Sequence, residues 1–164
     1  MSATFNWAQS NGAGETATDL GASGNLFNFK TNDDATAANY STNPITAGAA
    51  SMEVYLRAHF TGTFNKIDNL QFWLSTAFSP ATGLAIKAKM NSCAYATPSA
   101  TANADSAVPT SDPGTANVSI GASLSGALTA AGYSDYIRLQ LQTTTSAAPG
   151  DTSLAVFTLQ YDEQ

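Results

Sequence analysis

"SMEVYLRAHF", residues 51–60, is the stretch on which the reading of this chain turns. In an extended chain Met52, Val54, Leu56, Ala58 and Phe60 fall on one side, and Glu53, Tyr55, Arg57 and His59 on the other. A run this short also accommodates a helix, but the strict alternation and the aromatic residues favour a strand with one face in a core.

The same period of two recurs on both sides of it. "TFNWAQ" (4–9) pairs Phe5 with Trp7, and "NLFNFKT" (25–31) pairs Phe27 with Phe29. "LQFWLST" (70–76) sets Leu70, Phe72 and Leu74 against Gln71, Trp73 and Ser75. "LAIKAKM" (84–90) turns Leu84, Ile86, Ala88 and Met90 inward and both lysines outward, an arrangement that discourages edge-to-edge aggregation. In "DYIRLQLQT" (135–143), Ile137, Leu139 and Leu141 face the core. In "SLAVFTLQY" (153–161), Ala155, Phe157, Leu159 and Tyr161 form one side and Leu154, Val156, Thr158 and Gln160 the other, a pattern open to burial on both faces. A short strand is expected at 117–120 and a helical turn at 127–131, ended by Gly132.

Gly-, Asn- and Ser-rich segments separate these runs, as at 10–24, and Asn43-Pro44, 79–83 and 146–151 read as turns. Residues 95–121, broken by Pro98, Pro109 and Pro113, read as a long surface loop. The expectation is a single all-β domain over residues 1–164, a β-sandwich of jelly-roll type with about eight strands.

Only 11% of the residues are charged, so Ser, Thr, Asn, Gln, Ala and Gly must cover most of the surface. Such a surface repels its neighbours weakly and suits a protein packed against others, although a secreted or merely charge-poor domain has the same composition. Twelve acidic against six basic residues give a net charge of −6, which argues against binding nucleic acid or an anionic membrane. An acidic shell of this kind suits a basic partner or simple solubility. The start of the chain has neither a basic nor an apolar segment of signal-peptide type, and no run approaches the roughly 18 apolar residues of a membrane span. Synthesis in the cytoplasm is the expectation.

Chemistry is sparse. The single cysteine, Cys93, has no histidine near it in sequence and reads as a small buried apolar residue. The single histidine, His59, lies on the polar side of its strand, and no Gly-x-Ser-x-Gly elbow accompanies it. One histidine and one cysteine do not make a structural zinc site. Asp33-Asp34 lacks the spacing of a calcium loop and reads as solvated loop carboxylates. Nothing in the pattern brings Glu15, Glu53 or the aspartates together as a hydrolytic pair. The expectation is a protein without catalytic, cofactor or metal residues.

Tyr55, Trp73 and Tyr136 fall on the outward sides of their strands. Three readings stay open: a platform for stacking sugars, an interface with another subunit, or packing against further chain. With Arg57 and Arg138 they form the candidate interface, since Tyr, Trp and Arg dominate contact energies.

The order and texture of "DNLQFWLST" (68–76), "TGLAIKAKM" (82–90), "CAYATP" (93–98), "AAGYSDYIRLQLQ" (130–142) and "APGDT" (148–152), with the Tyr-Asp-Glu ending, resemble small virion structural proteins of tailed bacteriophages. The resemblance implies an accessory capsid protein of the decoration, cement or head-associated type, located in the virion. Its implied partners are the major capsid protein or other virion proteins and copies of itself, a trimer being one such arrangement. It also implies an N-terminal segment of about 20 residues free to lie extended on a neighbour as an added strand. The alternative is a carbohydrate- or receptor-binding sandwich module of a phage fibre or tail.

Overall fold

A computed structural model describes residues 2–23, 26–36, 42–76, 83–148 and 154–164. Among them it has no helix and nine strands: β1 (Ser2–Asn11), β2 (Thr16–Gly21), β3 (Val54–Thr63), β4 (Ile67–Thr76), β5 (Leu84–Lys89), β6 (Ser106–Ala107), β7 (Gly132–Tyr133), β8 (Ile137–Thr143) and β9 (Val156–Glu163). All ladders are antiparallel. Seven strands make one sheet in the order β2-β1-β3-β8-β5-β6, with β7 also on β3; β4 and β9 make the other. The predicted all-β sandwich is formed, with its strands divided seven to two.

The stretch 51–60 explains this architecture. β3 takes β1 on one edge, with Phe5 opposite Phe60 and Trp7 opposite Ala58. Its other edge takes β8, with Leu56 opposite Ile137, and then β7, with His59 opposite Tyr133. Antiparallel partners point to the same face, so the apolar side of every strand meets in one layer. Val54, Leu56, Ala58, Phe60, Ile137 and Leu139 from the large sheet and Leu70, Phe72 and Leu74 from β4 are all buried in one cluster. Aromatic contacts tie the layers. Trp7 meets Phe72 edge-on at 5.9 Å, Phe60 meets Tyr161 at 4.8 Å, and Phe72 stacks on Phe157 at 5.3 Å.

β4 has β9 on one edge. Its other edge is closed by irregular chain rather than a strand. Leu74 N donates to Pro109 O, Asn117 N and Val118 N donate to Leu70 O, and the Asn117 side chain bonds both Phe72 N and Phe72 O at 2.8 Å. An asparagine amide thus stands in for a peptide unit of a neighbouring strand. The strand expected at 117–120 is therefore an edge cap, because its hydrogen bonds come from one side chain and two amides.

Other expectations are corrected. Residues 16–21, read as loop, form β2, and residues 2–21 are a hairpin built into the sheet, not an extended arm. Its polar, exposed edge strand carries no alternation to read. Residues 26–30 bury Phe27 and Phe29 against the core, as their spacing implies, but without a ladder; Asn25 lies outside the described residues. The helical turn at 127–131 is replaced by a bridge of Leu128 to Ile67 and the short β7. Most of the turns at 79–83 and 146–151 also fall outside the described residues.

The largest correction concerns residues 91–107. They form a strap across the outer face of the large sheet. Cys93 O accepts from Tyr136 N, Ser99 O accepts from Glu53 N, and Asn103 N donates to the Gln140 side chain. Gln140 is fully buried, and its amide nitrogen donates to Ser51 O and Thr101 O. The strap ends in β6, paired with β5 at Lys87 and Ala88.

Candidate interaction surfaces

The outer face of the large sheet carries four of the five residues picked out as an interface. Tyr55, Arg57, Tyr136 and Arg138 are brought together there, and Trp73 lies on the opposite side of the sandwich, on the outer face of β4. The alternation therefore places all five outward from the main core. Two of them are nonetheless inaccessible. Tyr55 is 0% exposed and Tyr136 is 5% exposed, because the strap lies over them.

Beneath the strap is a second, smaller core of Tyr55, Cys93 and Tyr136, with Tyr95 against it. Tyr95 comes down from the strap to 4.9 Å from the Tyr55 ring and 5.3 Å from that of Tyr136, and its hydroxyl donates to Gly12 O at 2.5 Å. The Tyr136 hydroxyl shares a hydrogen bond with Ser10 Oγ at 2.9 Å and bonds the Glu15 carboxylate. Burial raises the thiol pKa of Cys93 and the phenol pKa of Tyr55. Burial also pushes Tyr95 up to about 12, and burial with the Glu15 hydrogen bond pushes Tyr136 up to about 12.

These shifts carry a pH dependence. The fold favours the protonated phenols, so their folded pKa values exceed the ordinary 10.0. The stabilisation is complete below pH 10 and is lost as pH rises from there towards 12. Chemical-denaturation midpoints are therefore expected to hold steady from neutral pH to near 10 and then fall. Absorbance at the tyrosinate band should show the phenols of Tyr55, Tyr95, Tyr136 and Tyr161 titrating later than a free tyrosine. Midpoints flat through pH 12 would contradict the burial of these rings.

Arg138 is spent inside the molecule. Its Nε and Nη2 grip the Asp105 carboxylate at 2.9 and 2.7 Å, and Nη1 lies 3.5 Å from Glu53. The paired Asp105 holds the guanidinium in its charged form and raises its pKa. This fork clamps the strap to β8. Arg57 differs. Its guanidinium carbon lies over the rings of Tyr133 and Tyr136, 4.4 Å from each centroid, and its nearest carboxylate oxygen, on Glu15, is 3.9 Å away. Its Nε is buried without a hydrogen-bond partner. Tyr133 is 39% exposed and stacks its ring on His59 at 4.1 Å. The accessible part of this face is thus a ladder of His59, Tyr133 and Arg57. Tyr133 escaped the sequence reading because "AAGYS" looks like a turn, and only the β3–β7 pairing sets it beside His59.

On the opposite face, Trp73 is opposite Thr158, with Val156 the next residue of β9 on that side. Val156 is 46% exposed and Leu154, just before it, 71%. Gln71, further along β4, is buried. A third feature is a shallow open groove of about 520 Å³ beside β5, lined by Lys89, Met90, Asp105, Asn117 and Leu124. Lys30, Arg57, Lys66 and Arg138 all have carboxylate neighbours, which leaves Lys87 and Lys89 as the cations without an ion pair among the described residues.

Asp33 accepts from Asn11 and Gly12, and Asp34 is bonded to the buried Lys30, whose ammonium holds the Asp34 carboxyl below its usual range. Among the described residues no three His, Cys, Asp or Glu side chains are grouped to hold a metal ion, and no helix is long and apolar enough to cross a membrane.

The described residues form an all-β sandwich with aromatic, guanidinium and aliphatic groups accessible on two opposite sides. No family model, curated protein or solved structure matches the chain.

Proposed function

We propose that this protein is a structural subunit of a bacteriophage virion, an accessory capsid protein of the decoration or cement type that acts by binding its neighbours. The observation that carries the reading is the pair of accessible contact faces on opposite sides of one rigid sandwich, His59–Tyr133–Arg57 on one and Trp73–Val156 on the other. A subunit that bridges two neighbours needs two such faces. Tyr and Arg are the residue types that concentrate contact energy, and repetition on a symmetric shell multiplies modest contacts through avidity. The low charge content and the texture of residues 68–98 and 130–152 support the same reading.

A sugar-stacking platform is less well supported. Of the three aromatics that would have formed it, Tyr55 and Tyr136 are buried and Trp73 is on the other side of the sandwich. The test is to separate particles from lysates containing the protein on a density gradient. The chain is expected to travel with capsids, and Arg57→Ala together with Tyr133→Ala should release it to the soluble fractions. A chain found only in soluble fractions would overturn the proposal.

A further inference from the structure

We propose that β9 pairs with β9 of a second copy, antiparallel, about a two-fold axis through Thr158, so that two small sheets join into one of four strands. The starting observation is the edge. β9 has β4 on one side, and among the described residues no backbone hydrogen bond reaches its other side. Free edges are normally blunted by a bulge, a proline or an inward charge. This one has none of these over Val156–Tyr161. Both register irregularities of the small sheet put the extra residue on β4, between Asp68 and Gln71 and between Leu74 and Thr76, and leave β9 regular.

The faces point the same way. Val156 and Leu154 are two of only four large apolar residues exposed among the described residues, and both belong to this edge. A two-stranded sheet is the least stable sheet unit, and added strands bring it into the ordinary range.

A second copy is the occupant that fits the register. Directly opposed residues in an antiparallel pair must share a face. Pairing Thr158 with itself meets that condition along the whole strand. Phe157 then faces Leu159 twice on the inner side, Val156 faces Gln160 on the outer side, and Ala155 faces Tyr161. Leu154 falls opposite Asp162, so no two carboxylates are opposed. This matters for a chain of net charge −6, whose copies repel over most of their surface. The span from Val156 to Tyr161 is free of charge, and Trp73, Thr158 and their two symmetry mates would form one row across the four strands.

The test uses the full chain. Sedimentation should show a dimer whose population is kept or increased on going from low to high salt, since salt screens the repulsion between copies. Thr158→Cys should form a covalent dimer on mild oxidation, since opposed Cβ atoms in such a pair lie about 4.5–5.5 Å apart. Gln160→Cys, which faces Val156 of the other copy, should not, and the buried Cys93 contributes no background. Thr158→Lys and Thr158→Glu should each be monomeric, and an equimolar mixture should dimerise. If these charged variants misfold, the small Thr158→Cys change still decides.

A wild-type chain that stays monomeric at every concentration would overturn the inference. Equal crosslinking at positions 158 and 160 would overturn the register. Association that disappears in high salt, or on Lys87→Glu with Lys89→Glu, would assign self-contact to the β5 groove instead. The inference does not depend on the virion reading. A dimer absent from particles would sink that reading alone, and a monomeric subunit on particles would sink this one alone.

Discussion

Tyr55→Ala is expected to destabilise the isolated, folded monomer by about 3–5 kcal/mol, the range for deleting a buried large aromatic side chain. The residue has no exposed area and sits between the Tyr95 and Tyr136 rings, at 4.9 and 5.7 Å. Its neighbours cannot close the hole, because one is held by the strap and the other by Ser10 and Glu15. The expected result is a large fall in the denaturation midpoint with no partner present. Tyr55→Phe keeps the ring and loses the hydroxyl's long contact to Glu53 at 3.5 Å and its interaction with the Arg138 guanidinium, so it should cost about 1 kcal/mol, well below the alanine change. An interface tyrosine would behave differently, leaving the monomer unchanged and weakening assembly. Equal monomer stability for wild type and Tyr55→Ala would return Tyr55 to the list of contact residues.

Arg138→Ala is the second large effect. Among the described residues the side chain is the one cation paired with two nearly buried carboxylates, Glu53 at 7% and Asp105 at 10% exposure. Removing it leaves both charges out of water without their cation, Glu53 keeping only the neutral donors Tyr55, Ser99 and Asn103, a change that typically costs about 3–5 kcal/mol. The loss should appear first in the strap, because Asp105 is its anchor. Native-state labelling of Cys93 and proteolysis within 91–107 should both become fast, while Lys89→Ala, which removes no ion pair, should do neither. A cost near that of an exposed pair, under about 1 kcal/mol, with Cys93 still protected, would mean that the backbone bonds alone hold the strap.

Much of the sandwich could be read in advance because β3, β4, β5, β8 and β9 advertise their inner faces by alternation. What could not be read has one physical cause. The alternation says which way a side chain points from its own strand, not what lies above it. Tyr55 and Tyr136 point away from the main core as expected, yet a segment whose only large apolar side chain is Tyr95 covers them. That segment is fixed by long-range polar contacts of Glu53, Arg138 and Gln140, and no local pattern announces those. β2 was hidden because an exposed edge strand needs no apolar period. Residues 26–30 show the reverse error: Phe27 and Phe29 are correctly inward, but two inward rings do not require a ladder. Arg57 and Trp73 stayed accessible, and Tyr133 joined Arg57 through a two-residue pairing too short to leave a signature.

The small sheet also governs how the chain folds. Ser75 reaches the Val156 carbonyl, and Asn69 the Asp162 carboxylate, from 81 and 93 positions away along the chain. During synthesis Phe72 and Leu74 therefore emerge long before the strand that shields them, and the large sheet can zip together around β3 in the meantime. Closing so wide a loop is entropically costly and places this protein among slow folders. Docking of the C-terminal strand should be the rate-limiting phase of refolding, and the interval before it the period of greatest vulnerability to aggregation.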